Sequence, residues 1–242
     1  MIKFFRKIRY DLMEKNKTGK YFKYAIGEIV LVVIGILIAL SINNWNEKQK
    51  LIKNEKELIT SLKKEITNNI LELESSIEKN NLYLEAAENL IHSLKLNNEL
   101  YSAKEINSAF YYSPHIIDSP VLDRIIATNS NLLIENKEQL ANFRLLKNIY
   151  TNITKQQFYL DDFWNNKVTD FLIASGIWLE KEDIEYQISL KELALDGYSK
   201  KQFITILKLH KNLHQWWEEE KIDGTKKSKE ILDILNEEKT KG

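Results

Sequence analysis

Few residues in this 242-residue chain could carry chemistry. It has no Cys, which excludes thiolate nucleophiles, disulfides, Cys-bound zinc and iron–sulfur clusters. His210, His214 and Glu218 follow at intervals of four, along one edge of a helix, a spacing that can present metal ligands. Against that, His210 stands three residues from both Leu207 and Leu213, on or beside a packing face. A structural or exposed pair is the better account, since four-coordinate zinc needs further ligands that the sequence does not identify. Asp161 and Asp162 are adjacent and point about 100° apart, which is unsuited to a catalytic dyad. Trp216-Trp217 beside Glu218-Glu219-Glu220 fits a partner patch, and fits equally one Trp in the core with the other at its rim. No phosphate-cradling glycine loop, nucleophile elbow or zincin pair is present. The chain is expected to be non-enzymatic and to need no cofactor.

Glu28 is the remaining candidate. It lies in Ala25-Ile-Gly-Glu-Ile-Val-Leu-Val-Val-Ile-Gly-Ile-Leu-Ile-Ala-Leu-Ser-Ile42. Ten Ile, Val or Leu residues between Ile29 and Leu40 favour insertion into a bilayer by about 3–6 kcal/mol in total. A central acid would oppose this by at most ~3 kcal/mol, and Glu28 is not central. Its side chain leans toward the helix N-terminus and can reach the headgroups by snorkelling. Alternatively it serves helix association. Gly35, seven residues on, shares its face, and Gly35 with Ala39 forms a small-residue pair that permits close backbone approach. An ion or proton path through Glu28 is a further reading, weakened by the lack of a second intramembrane polar group.

Around this segment the chain has the charge pattern of a membrane protein. Thirty-five basic residues balance thirty-five acidic ones, but residues 1–24 carry eight basic residues against Asp11 and Glu14. The remainder is mildly acidic and offers nothing to nucleic-acid phosphates. Tyr21 and Tyr24 before the span and Trp45 after it are interfacial anchors, about 31 Å apart from Tyr24 to Trp45 on a helix. The basic flank predicts a cytoplasmic N-terminus, and the apolar region is too long for a cleaved signal peptide. In residues 2–13, Phe5, Ile8 and Leu12 form a stripe opposed by Lys3, Arg6, Lys7 and Arg9, as in a helix lying on an anionic leaflet. Asn16 to Gly19 would be the bend before the span.

The runs IKFFRKIR and NKTGKYFKYAIGEIVLVVIGILIALSINNWNE, at residues 2–9 and 16–47, resemble the N-terminal signature of an uncharacterised bacterial family with a domain of unknown function. The landmarks are Gly27-Glu28, Gly35 and Asn43-Asn44-Trp45-Asn46. A weaker resemblance covers Leu122 to Tyr150, where Asn129-Ser130 replaces a Gly-containing turn. The resemblance implies an inner-membrane anchor and a helical body outside the cytoplasm. It carries no activity and no functional residues.

Seven Gly and two Pro leave few turn-makers, so the body is expected to be all-α. Apolar residues at helical spacing run from Leu51 through Leu62, Ile66, Leu73 and Ile91 to Leu94, and Leu96-Asn97-Asn98-Glu99 is the expected stop. A strict heptad would place Asn69, Ser76 and Tyr83 in a seam, which favours an intramolecular bundle over a coiled coil. Ser102-Ala-Lys-Glu105 and Ser199-Lys-Lys-Gln202 are capping boxes, and Ser119-Pro120 opens a helix to about Thr128. Further helices are expected over about 134–174, 182–195 and 199–221, with Asp223-Gly224-Thr225 as a break before a last helix at 226–238. The stripes of 51–94 and 140–171 are expected to pack antiparallel.

Together these readings divide the chain into a cytoplasmic basic amphipathic segment (1–23), a transmembrane helix (24–45) and an elongated periplasmic helical bundle (46–242). The expected role is a single-pass scaffold, assembly or sensor subunit of the bacterial inner membrane. It would contact the lipid bilayer and its anionic inner leaflet, no nucleic acid, and either its own copies or another membrane protein. The alternatives are a metal-dependent or enzyme-accessory domain using His210 and His214, and an ion-coupled subunit using Glu28.

Overall fold

The computed structural model describes residues 10, 18–96, 100–111, 114, 117–128, 137–174, 187–189 and 200–237. The amphipathic head, with Lys3, Phe5, Arg6, Lys7 and Arg9, lies outside the described residues, as do Asn16 and Lys17 of the expected bend. Helix α1 runs from Thr18 to Lys95 without interruption, so the span and the amphipathic stripe belong to one element. No Pro lies within it, and only Gly19, Gly27 and Gly35 could weaken it. It stops at the turn at Leu96, where the sequence places the stop.

The chain forms two compact units, residues 1–57 and 58–242. In the first, residues 29–50 are exposed on every side of the helix. An 18-residue stretch there reaches a mean hydropathy of 2.8 with none of it buried. Among the described residues this is the one helix long and apolar enough to cross a membrane.

Among its described residues the second unit is all-α apart from one short ribbon. Strands β1 (Leu100–Ser102) and β2 (Gln187–Ser189) pair antiparallel, with Tyr101 opposite Ile188. Helices α2 (Ala103–Ala109) and α3 (Pro120–Thr128) begin where the capping box and Ser119-Pro120 place them. Then come α4 (Lys137–Phe163), a π-helical turn (Trp164–Val168), α5 (Thr169–Ala174) and α6 (Lys200–Glu237).

Three expectations are corrected. Residues 187–189 are extended, where a helix over 182–195 was expected; the aromatic and β-branched pair at Tyr101 and Ile188 suits a strand, and pairing overrides a local helical pattern. The remainder of 182–195 lies outside the described residues, apart from that strand. The helix expected over 134–174 is helical through its whole described part, 137–174, with a π-helical turn at Trp164–Val168, where Trp164 donates from Nε1 to the carbonyl of Phe110 at 3.0 Å. Asp223-Gly224-Thr225 does not break α6. Gly224 is buried, and a Cβ there would stand 2.9 Å from Ile153 Cδ1, so this glycine serves a close helix crossing. Finally, α1 and α4 run parallel. Leu62 to Leu73 share one apolar cluster with Phe143 to Leu160, while Ala87 to Leu94 share another with Val168 to Leu172. The chain between them returns along the bundle, and α6 supplies the antiparallel partner to both: Lys63 meets Asn236, Glu74 meets Lys229, and Asn142 meets Lys227.

Side chains of α1 hold that return. Asn69 donates to the carbonyl of Asp118 at 3.1 Å. Glu65 accepts from the backbone N–H of Val121 at 2.7 Å and of Leu122 at 3.0 Å, satisfying two orphan donors of α3. Burial raises its carboxyl above the usual range despite these bonds.

Candidate functional site

The two apolar clusters divide the second unit into halves. One gathers Leu90, Ile91 and Leu94 of α1 around Phe110, Phe171 and Phe203, with Phe171 and Phe203 stacked at 4.7 Å. The other gathers Leu62, Ile66 and Leu73 around Leu146, Tyr150 and Trp217. Between them lies a polar layer built from α1 and α6.

Its members are His210 and His214, each 1% exposed, and Asn80, also 1% exposed. The two imidazoles are one helical turn apart, with ring centroids 4.5 Å apart and planes at 70°. Asn80 fixes the tautomer of His214. Its amide nitrogen donates to the carbonyl of His214 at 3.3 Å and to Glu218 Oε2 at 3.1 Å. The amide oxygen is therefore the acceptor that faces His214 Nδ1 at 2.6 Å, and Nδ1 carries the proton. His210 bonds to the backbone of Ala109, and its Nε2 has no partner, so its proton also sits on Nδ1. Burial holds His210 down to about 4. Burial, with the nearby His210 and Lys221, holds His214 well below the usual imidazole range.

One turn beyond Trp217, Lys221 is fully buried. Its ammonium lies 3.1 Å from the centre of the Trp217 ring, and its Nζ has no hydrogen-bond partner. Burial lowers it to about 7, against the opposing pull of Glu218. Trp217 itself donates from Nε1 to the carbonyl of Ile153 at 3.1 Å. A cleft of about 320 Å³ opens beside the layer, with Asn80, Tyr83 and Trp217 among its walls.

The sequence-level candidates fall into three groups. His210 and His214 are brought together and buried, where the sequence left a structural or an exposed pair open. Glu218 reaches them only through Asn80, on the Nδ1 side of His214, so it does not join the two Nε2 atoms. Among the described residues no three His, Cys, Asp or Glu side chains form a group that could hold a metal ion. The layer is an imidazole and amine cluster. Asp162 accepts from Asn166 at 2.8 Å on the surface and forms no dyad. Trp216 is 55% exposed and Trp217 2%, one at the rim and one in the core. Asn80 and Lys221 were missed. Their signal was a polar residue at a stripe position, Asn80 midway between Leu73 and Ala87, and Lys221 seven residues after His214.

On the apolar stretch of α1, Glu28 is half-buried and Ala39 exposed, and nothing stands within 4 Å of a Cβ built on Gly35. Trp45 is 64% exposed. Tyr21 and Tyr24 lie in α1, with side chains outside the described set.

No curated protein and no solved structure matches the chain. The matched stretch of the chain runs from Glu28 through the long helix, β1 and α2 to Asp118, so it includes Gly35, Trp45 and Asn80 but neither histidine of the layer. It also ends before the second segment of resemblance at Leu122. Residues 28–118 match a family of unknown function (DUF6090), in keeping with the uncharacterised family that the N-terminal signature resembles.

Proposed function

We propose that the chain is a membrane-anchored, non-enzymatic scaffold, assembly or sensor subunit. Residues 24–45 cross the bacterial inner membrane once, residues 1–23 lie in the cytoplasm and residues 46–242 in the periplasm. The observation that carries this reading is the stretch of mean hydropathy 2.8 with no protein packed against it. In water such a surface is unfavourable on every side, and lipid is the partner that covers it evenly. Lys3, Arg6, Lys7 and Arg9 supply the charge that holds the head on an anionic leaflet. A reporter active only in the cytoplasm, fused after Gly242, is expected to be silent. Activity there would refute the orientation.

Copies associate through the face that carries Glu28, Gly35 and Ala39, which leaves room for a neighbouring backbone at Gly35. Crosslinking of the full chain in membranes should fall most for Gly35→Leu, which fills the groove. Glu28→Gln should weaken it least, because intramembrane hydrogen bonds contribute only about 0.6–2 kcal/mol and Gln still makes one. Glu28→Leu is expected between the two. Full crosslinking with leucine at both positions would move the interface away from the span.

A further inference from the structure

The polar layer sits where a bundle of this kind needs no polar groups. An uninterrupted apolar core would pack α1 against α6 without Asn80, His210 or His214, and buried polar groups cost stability unless each is bonded. Here the layer separates two apolar clusters that are otherwise complete. Its two halves differ in build. The half around Phe110, Phe171 and Phe203 packs the C-terminal end of α1 and the N-terminal end of α6 against short elements only: the ribbon, the seven-residue α2, the π turn and the six-residue α5. The half around Leu146 and Trp217 is assembled mainly from long stretches of α1, α4 and α6. Short elements with few internal bonds open more readily than long ones.

We propose that His210, His214 and Asn80 form a proton-operated joint: acid charges the imidazoles, and the half around Phe110 and Phe203 opens while the half around Leu146 stays folded. This goes beyond the anchoring role and holds whether or not copies associate.

The surroundings of the joint support that sense. From α1, Asn80 and the Tyr83 ring face His214, the latter at 5.9 Å. The Ala109 backbone, Phe110 and Phe163 face His210, the two rings at 5.9 and 6.3 Å. Tyr111 stacks on Tyr83 at 4.6 Å, and the Tyr83 hydroxyl is held above its ordinary range by burial, so it stays neutral through the acid range. On α6 itself, Glu218 is engaged by Asn80, and Lys211 pairs with Glu88. A proton on His214 is opposed by His210 and Lys221. A proton on His210 would enter at Nε2, where no acceptor awaits it.

The direction with pH follows from linkage. A group lowered in the fold is neutral in both states above its unfolded value, so its contribution is intact there. As pH falls, the open state takes the proton first and stability is lost down to the folded value. For His210, about 4 in the fold against 6.5 when exposed, opening at pH 5.0 is favoured about thirtyfold over pH 7.5.

Hydrogen exchange of the full chain in lipid nanodiscs, corrected for intrinsic rates, tests the joint at pH 7.5 and 5.0. Residues 103–109 and 203–214 should exchange at least tenfold faster at pH 5.0, with residues 62–73 and 143–153 changed less than twofold. His210→Phe, which keeps an aromatic ring beside Phe110, should reduce that acid response severalfold. Because a variant can misfold, the imidazole resonances of the unaltered chain provide a second readout: His210 should titrate near 4, and His214 well below the usual imidazole range. Uniform or pH-independent exchange, or imidazoles titrating near 6.5, would overturn the proposal.

Discussion

Leu146→Asp should unfold the unit that begins at Leu58. Leu146 is fully buried on α4, in the cluster that also holds Leu62, Ile66 and Trp217. Truncating a buried leucine costs about 2–5 kcal/mol, and an unpaired buried carboxyl adds a few more. Total stability of a domain is about 5–15 kcal/mol, so the sum removes most or all of it. Tryptophan fluorescence during heating of the detergent-solubilised chain checks this, since Trp217 reports on the same cluster. Leu146→Met, similar in volume, should cost less than about 1.5 kcal/mol. An unchanged unfolding midpoint for the aspartate variant would mean that α4 does not present this face to the core.

Trp217 and Lys221 give a pair of effects with opposite signs. Trp217→Ala should destabilise by about 3–5 kcal/mol, the range for deleting a large buried ring. It also removes the bond to the Ile153 carbonyl and the surface on which the Lys221 ammonium lies. Lys221→Met should instead stabilise the protein, by about 1–3 kcal/mol, because it replaces a buried amine that has no hydrogen-bond partner with an apolar chain of similar length. The gain has a pH signature. Lys221 is lowered to about 7 in the fold, so burying it costs least above pH 10.5 and progressively more as pH falls toward 7. The advantage of the methionine variant should grow over that interval. Denaturant titrations at several pH values measure it, and a loss of stability for Lys221→Met would show that the ring–ammonium contact outweighs desolvation.

The long apolar helix, the all-α class and most helix starts were legible in the sequence because each depends on local quantities. An apolar run such as Ile29 to Leu40 is a property of consecutive residues, and a start such as Ser119-Pro120 needs only its own turn. The stripe at Leu62, Ile66 and Leu73 likewise states which face of α1 is buried, and that face is buried. A periodic stripe does not say which partner covers it or in which direction that partner runs. Parallel α1 and α4, with α6 antiparallel to both, go with a return toward the start of the bundle at Asp118 to Leu122, which Glu65 and Asn69 hold from another helix.

Gly224 shows the same limit at one residue. Between Asp223 and Thr225 it has the composition of a break, but the helix runs on through it, and a Cβ there would press on Ile153 Cδ1 at 2.9 Å. Leu207 and Leu213 placed the histidine pair on or beside a packing face, with burial or exposure left open, but the pair itself was visible. Its chemistry was not, because Asn80 stands 134 residues from His214 and only the packing of α1 against α6 brings them to 2.6 Å. Local sequence determined the elements and the faces they bury. Tertiary packing decided direction, crossing and the polar layer, because those depend on contacts between residues far apart in the chain.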